Sequence, residues 1–353
     1  MRAPGKLILM GEHAVVYGEP ALVATLGLFI EVRVERSGSG SRVVLELPRL
    51  SHTETTDWRS LLGVAEEARR RWEAFAADPA RVAFASPHHD ACLARVALGE
   101  VARWAEELPP ALVRVEGNLP SGSGFGSSAA LAIGLLVACR EAFALGTSDE
   151  ELEAAALDVE RRQHGLPSGV DGATILRGGV VWAERDAEGA LVANEMNVDA
   201  GHLSRFSVYH TGRPEQSTGQ IVAHVRDRIE REGAHARARL ARMGAATREF
   251  RRVIESAGGS HDVVRLMRGY QADLQALGVV PTRVSELVEE VEELGGAAKI
   301  SGAGALAQAG PADAGAGSLL VYHEDPSVIA DWAAAGAQRV DAVLGVPGVA
   351  RAT

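Results

Sequence analysis

The sequence predicts an α+β protein built as two lobes. Strand-like and helix-like segments are interleaved along it without a strict βαβ alternation. A polar stretch, Glu184 to His202, interrupts the pattern and divides the chain into residues 1–190 and 191–353. At 353 residues the chain is long enough for two ordinary domains, each with its own core. In the first part, Leu28–Glu35 alternates like a half-buried strand, and Arg42–Leu47 is its expected partner across the turn Ser37–Gly40. Helices are expected over Asp57–Ala77 and Asp90–Glu107, the second stopped by Pro109-Pro110, and a strand over Leu112–Glu116. An apolar helix follows, capped by Ser127 and closed by Gly146. Ser148 and Glu151 form a capping box for the next helix, whose buried stripe is Leu152, Ala155, Ala156 and Val159. Gly179–Ala183 reads as a strand. In the second part, Phe206–His210, Lys299–Ser301 and Ser318–Tyr322 read as strands. Helices are expected over Gln216–Glu230, His235–Ser256, Asp262–Leu277, Thr282–Leu294 and Pro326–Ala335.

Composition narrows the function. A net charge of −11 argues against nucleic acid or an anionic membrane as the main partner, since both require a basic surface. Cys92 and Cys139 form neither a spaced zinc pair nor a disulfide framework, and Cys139 sits in an apolar run as a buried small hydrophobe. No leader and no bilayer-spanning run is found, so a cytoplasmic enzyme is expected. Only Lys6 and Lys299 among the 36 basic residues are lysines. In a chain this biased toward arginine, the two mark places where a compact ammonium is required and a planar guanidinium would not fit.

Three segments carry chemistry. Pro120-Ser-Gly-Ser-Gly-Phe-Gly-Ser-Ser128 places alternate glycines between a strand and an apolar helix, where backbone N–H groups and the helix N-terminus form an anion site. It is neither a Walker A loop nor a dinucleotide fingerprint. Of the two hydroxyls that follow, one is free to cap the helix and the other to reach a metal bound to phosphates. Phosphoryl transfer to an alcohol needs Mg²⁺ held by oxygen and a group to receive or steer the hydroxyl proton. Glu160, at the rim of its helix's buried stripe, and Asp171, in the glycine-rich run Pro167–Gly172, are the candidates. Lys6 follows a Pro-Gly bend, and Glu12 and His13 stand alone in an apolar, glycine-containing segment. A lysine beside a catalytic aspartate lowers its pKa and orients it.

Together, Pro4-Gly-Lys…Gly-Glu-His-Ala-Val-Val-Tyr-Gly18, Pro120–Ala130 and Lys299-Ile-Ser-Gly-Ala-Gly304 resemble the three motifs of the GHMP kinases, in order and spacing. The form of the first motif, the segment His164–Asp171 and the run His210–Thr218 are most similar to the mevalonate kinase family. The resemblance implies a ribosomal-S5-domain-2-like nucleotide and magnesium lobe (1–190), a ferredoxin-like α/β-sandwich lobe (191–353) and a cleft between them. It implies ATP as co-substrate, Mg²⁺ and the C5 hydroxyl of (R)-mevalonate as acceptor. In roles, it implies catalytic Asp171 with Lys6, metal ligands Ser128 and Glu160, and substrate contacts Glu12, His13 and Thr218. Pro120, Ser121, Gly122, Ser123, Gly124, Phe125, Gly126, Ser127 and Ser128 would wrap the phosphates. The resemblance leaves a homodimer open. Two departures stand out. Ala305-Leu306 and the loop 307–314 interrupt the third motif, leaving open whether 302–304 or 315–317 closes over the phosphates. The chain also starts two residues before Ala3, so the strand that usually leads into the first motif is expected to be nearly absent. Other acceptors (phosphomevalonate, a sugar), an ATP-dependent decarboxylase of the same fold and a non-catalytic binding module are the competing readings.

Overall fold

The computed structural model describes residues 1–38, 40–78, 90–256, 258–307, 315–330, 332 and 336–352. Its strands are β1 (Arg2–Met10), β2 (Ala21–Arg36), β3 (Arg42–Leu47), β4 (His52–Asp57), β5 (Ala111–Gly117), β6 (Val180–Arg185), β7 (Leu191–Met196), β8 (Phe206–His210), β9 (Ala297–Ser301), β10 (Ser318–Tyr322) and β11 (Gln338–Val340). The helices of the first part are α1 (Trp58–Ala77), α2 (Asp90–Val101), α3 (Ser127–Phe143), α4 (Asp149–His164) and α5 (Val170–Arg177). Those of the second are α6 (Ala200–Leu203), α7 (Thr218–Glu232), α8 (Ala234–Glu255), α9 (Ser260–Ala276), α10 (Thr282–Glu293) and α11 (Pro326–Ala330). The α+β expectation holds.

The first sheet runs β4-β3-β5-β2-β6-β7, with β1 also paired to β2. Long β2 reaches three neighbours in turn: β5 along Ile30–Arg36, β6 along Ala21–Ala24, and β1 along most of its length. The expected hairpin of Arg42–Leu47 with β2 does not form; β5 lies between them, parallel to β3, and β3 pairs instead with β4. β4 is an edge strand with few apolar residues, so it shows no alternation in the sequence. Only Arg2 of β1 precedes Ala3, and the first motif itself makes up most of the strand Arg2–Met10. Residue 190 falls in the β6–β7 turn, so the first sheet extends past the expected division to Met196. The second sheet, β11-β8-β10-β9, is wholly antiparallel.

Helix α3 is the axle of the first lobe. Ala129–Cys139 is buried without interruption, as expected of a helix apolar all round that has partners on every side. Its expected caps differ. Gly126, with φ 74°, is the N-cap and Ser127 the first helical residue, while Ala144 rather than Gly146 takes the left-handed position at the C-terminus. The Ser148–Glu151 capping box on α4 is present in full. Helix α2 stops at Val101, ahead of the expected Glu107. The last expected helix is seen as Pro326–Ala330, and part of its remainder lies outside the described residues.

A C-terminal strap, residues 343–350, crosses back onto the first lobe. Gly27 N–H donates to Val343 O (2.8 Å), Gly179 N–H to Val346 O (2.9 Å) and Arg2 N–H to Ala350 O (2.7 Å). One continuous core joins both lobes, running from Leu7 and Leu22 through Leu135 to Leu274 and Leu320. Among the described residues no helix is long and apolar enough to cross a membrane.

Candidate active site

Strand β1 delivers Lys6 to the interior. A register shift between Pro4 and Gly5 reorients the strand there, and Lys6 N–H donates to Phe125 O (2.9 Å), stitching β1 to the glycine loop. Gly122, Gly124 and Gly126 all adopt positive φ (70°, 81° and 74°), the region in which glycine carries no steric penalty. At Gly126 the requirement is twofold, because a β-carbon there would also stand 2.6 Å from Lys6 Cγ. With no side-chain cap on α3, the N–H groups of its first turn are left for a ligand.

The loop divides its residues between two tasks. Ser121, Gly122, Gly124, Gly126, Ser127 and Ser128 line a cavity of about 710 Å³. Ser123 and Phe125 turn away from it into the second lobe. Ser123 Oγ is 2.8 Å from His210 Nε2 on β8, and the Phe125 ring packs 6.2 Å from the His210 imidazole. Pro120 does not line the cavity either.

Across the cavity, Asp171 sits in the first turn of α5, and its Oδ2 is 3.1 Å from Lys6 Nζ. The lysine is 4% exposed and the aspartate 33%, so the pair has a buried side and an open side. Glu160 on α4 lies beyond them. It was expected at the rim of its helix's buried stripe but is buried. Burial, reinforced by the negative charge of Asp171 and opposed by Lys6, pushes its carboxyl up to about 8. A carboxylate so placed gains from a cation. Ser128 lines the same cavity and adds a neutral oxygen. Among the described residues no cluster of three His, Cys, Asp or Glu side chains forms a metal site by itself. The donor set therefore suits a hard divalent ion completed by water and phosphate oxygens, as Mg²⁺ prefers.

The segment after β1 supplies Glu12 and His13. Glu12 and Lys299 form a fully buried ion pair, and Lys299 Nζ also donates to Ile300 O (2.9 Å). Tyr270 OH donates to Glu12 O (2.9 Å). Burial pushes the Glu12 carboxyl up and the Lys299 ammonium down, and each charge is sustained by the other. Glu12 lines the cavity, and its buried Oε2 has no hydrogen-bond partner among the described residues. His13 has φ 60° and ψ −49°, a sparsely populated conformation held by its neighbours. Burial lowers its ring pKa to about 4, so the imidazole is neutral at physiological pH. Its Nε2 lies 3.0 Å from Ala303 O; with the proton there, Nδ1 is left as an acceptor. Such a ring recognises a hydroxyl rather than a carboxylate.

From the second lobe, Thr218, the first residue of α7, lines the cavity opposite His13, behind a complete Ser217–Gln220 capping box. Sequence reasoning did not single out Gln163, Arg213 or Gln216, which line the cavity as well; their signal is only that they border recognised segments. Lys299 opens the third motif but does not line the cavity, because its ammonium is consumed by Glu12. Of the two glycine segments beside the atypical loop, Gly302 and Gly304 line the cavity next to Gly124. Gly317 N–H donates to Gly212 O (2.9 Å) just past β8, and Ala316 reaches the cavity wall. Residues 308–314 lie outside the described residues.

The cavity thus joins an anion-binding loop, a lysine–aspartate pair and a buried carboxylate open to a cation, and known proteins share the arrangement's framework. A family profile described as GHMP kinases N terminal domain matches residues 92–179. Mevalonate kinase from Bos taurus is 31% identical over 337 residues, covering 86% of this chain and 82% of the bovine one. That from Pyrococcus abyssi is 30% identical over 307 residues, covering 86% and 84%. The crystal structure of L. major mevalonate kinase in complex with R-mevalonate superposes with a TM-score of 0.69 at 18% identity, covering 99% of this chain and 96% of that one. The chain belongs to the GHMP kinases, in the mevalonate kinase family.

Proposed function

We propose that this enzyme transfers the γ-phosphoryl group of ATP to the terminal C5 hydroxyl of (R)-mevalonate, giving 5-phosphomevalonate and ADP. The observation that carries the reading is the Lys6–Asp171 pair, 3.1 Å apart, lining the same cavity as the glycine loop. In the reaction the acceptor oxygen bonds to Pγ, the Pγ–O bond to ADP breaks, and the hydroxyl proton passes to Asp171. Lys6 holds the Asp171 carboxylate in place and offsets charge as it develops on the transferring group. The N–H groups of the loop and of the first turn of α3 receive the β- and γ-phosphate oxygens. Neutral His13 accepts a hydrogen bond from an acceptor hydroxyl, and Thr218 fixes that molecule from the second lobe. Ser128 and Glu160 would hold Mg²⁺, which when bound neutralises the phosphates and orients the leaving group. The reading carries with it a place in isoprenoid precursor synthesis and a cytoplasmic location.

Assay of a panel of alcohols by ADP release tests the substrate. Mevalonate should be turned over at least tenfold faster than phosphomevalonate or galactose, and inert mevalonate would overturn the assignment. Asp171→Asn should lower kcat by ~10²–10⁴-fold with little change in ATP affinity. Lys6→Arg should also fail, because a guanidinium does not fit the 4%-exposed place of a compact ammonium; near-normal activity would reduce Lys6 to a diffuse positive charge.

A further inference from the structure

We propose that Arg213, on the loop between β8 and α7, is the cation through which the second lobe grips the nucleotide's polyphosphate; the inference rests on the kinase reading above. It begins from the charges around the cavity. Four acidic side chains line it, those of Glu12, Glu160, Asp171 and Glu215, against two basic ones, Lys6 and Arg213. Lys6 is committed to Asp171. Residues 120–129 contain no lysine or arginine, so the glycine loop offers phosphates only backbone dipoles and hydroxyls. A triphosphate held there needs a mobile cation to balance the oxygens that a metal ion leaves uncovered.

Arg213 is placed for that task. Among the described residues no carboxylate pairs with it. Its guanidinium lies over Gly122 of the loop, in the space a side chain there would take: a β-carbon on Gly122 would stand 2.7 Å from Arg213 Nε and 3.1 Å from Cζ. The planar fork therefore rests on a turn that lines the cavity, and a guanidinium offers two parallel donors to a phosphate. His210 anchors the start of this segment to Ser123 of the loop at 2.8 Å, which keeps Arg213 in register with the phosphates. The cavity's other anion, the carboxylate of the acceptor, is a different target for the same side chain, and the experiment separates the two.

Titration calorimetry on the full chain with Mg·AMPPNP and with AMP, together with steady-state kinetics, tests the assignment in Arg213→Gln and Arg213→Lys. Arg213→Gln should weaken Mg·AMPPNP binding by about ten- to a hundredfold, the loss of a charge-assisted hydrogen bond. AMP binding should change less than twofold and the KM for the acceptor should stay put. Arg213→Lys should recover part of the affinity. Unchanged AMPPNP binding, or a loss that falls on the acceptor KM instead, would overturn the proposal. If the wild type binds AMPPNP in an Arg213-dependent way yet leaves mevalonate untouched, the Arg213 assignment stands and the substrate reading falls.

Discussion

Glu160 shows how a single side chain trades stability for function. Its folded-state pKa of about 8 lies above the ordinary carboxylate value, so the folded chain binds a proton that the unfolded chain has already released. Stability is therefore undiminished below about pH 4.5, falls as pH rises, and carries the full cost above about 8. Glu160→Gln removes the charge and should raise the Tm of the ligand-free protein, by more at pH 8 than at pH 5. It should also raise the Mg²⁺ concentration needed for half-maximal turnover. Thermal melts at the two pH values check the first effect, and a loss of stability at pH 8 would show that the carboxylate is already compensated. The sequence singled out this residue by resemblance but placed it at a rim. Its depth is set by α5 packing against α4, a contact that helical periodicity within α4 does not encode. The two-lysine anomaly was half legible in the same way: both lysines are buried in ion pairs, yet Lys299 serves the interior. Its partner Glu12 is 287 positions away, beyond the reach of any local pattern.

At the scale of elements, the site is held by joints between strands and loops. β9 meets the segment after β1 through Lys299 and Glu12, and Ala303, just past β9, holds His13. Lys299→Met would leave Glu12 buried and uncompensated, which costs about 3–5 kcal/mol. Urea denaturation should record that loss, and adding Glu12→Gln to it should restore a large part, since the orphaned charge is then gone. Additive losses in the double variant would mean that the two side chains act separately. β2, β5, β6 and the longer helices were readable because their apolar periodicity matches their burial, whereas β1, α5 and α6 were not read. The pairing of β3 was not: proximity in sequence favoured a hairpin with β2, whereas the parallel register with β5 depends on α1 and α2 carrying the chain over the sheet. β4 went unread because His52–Asp57 has no apolar face to report.

Over the whole molecule, the continuous core between lobes has a thermodynamic counterpart. Calorimetry should record one cooperative transition rather than two, and Mg·ADP at a hundred times its Kd should add about 2.7 kcal/mol to it. Two resolved transitions, only one of them moved by nucleotide, would mean that the lobes melt independently. The reach of the first sheet to Met196 was not legible in the sequence, because β7 is half solvated and reads as loop. The C-terminal strap also bears on how the molecule is made. β1, which carries Lys6, is made before the strap, yet its backbone at Arg2 is paired with Ala350. Contacts of such sequence separation form late and slowly. Until the strap is made, the strand of Lys6 therefore waits with part of its edge open, a window in which a nascent chain is exposed to mispairing and to chaperones.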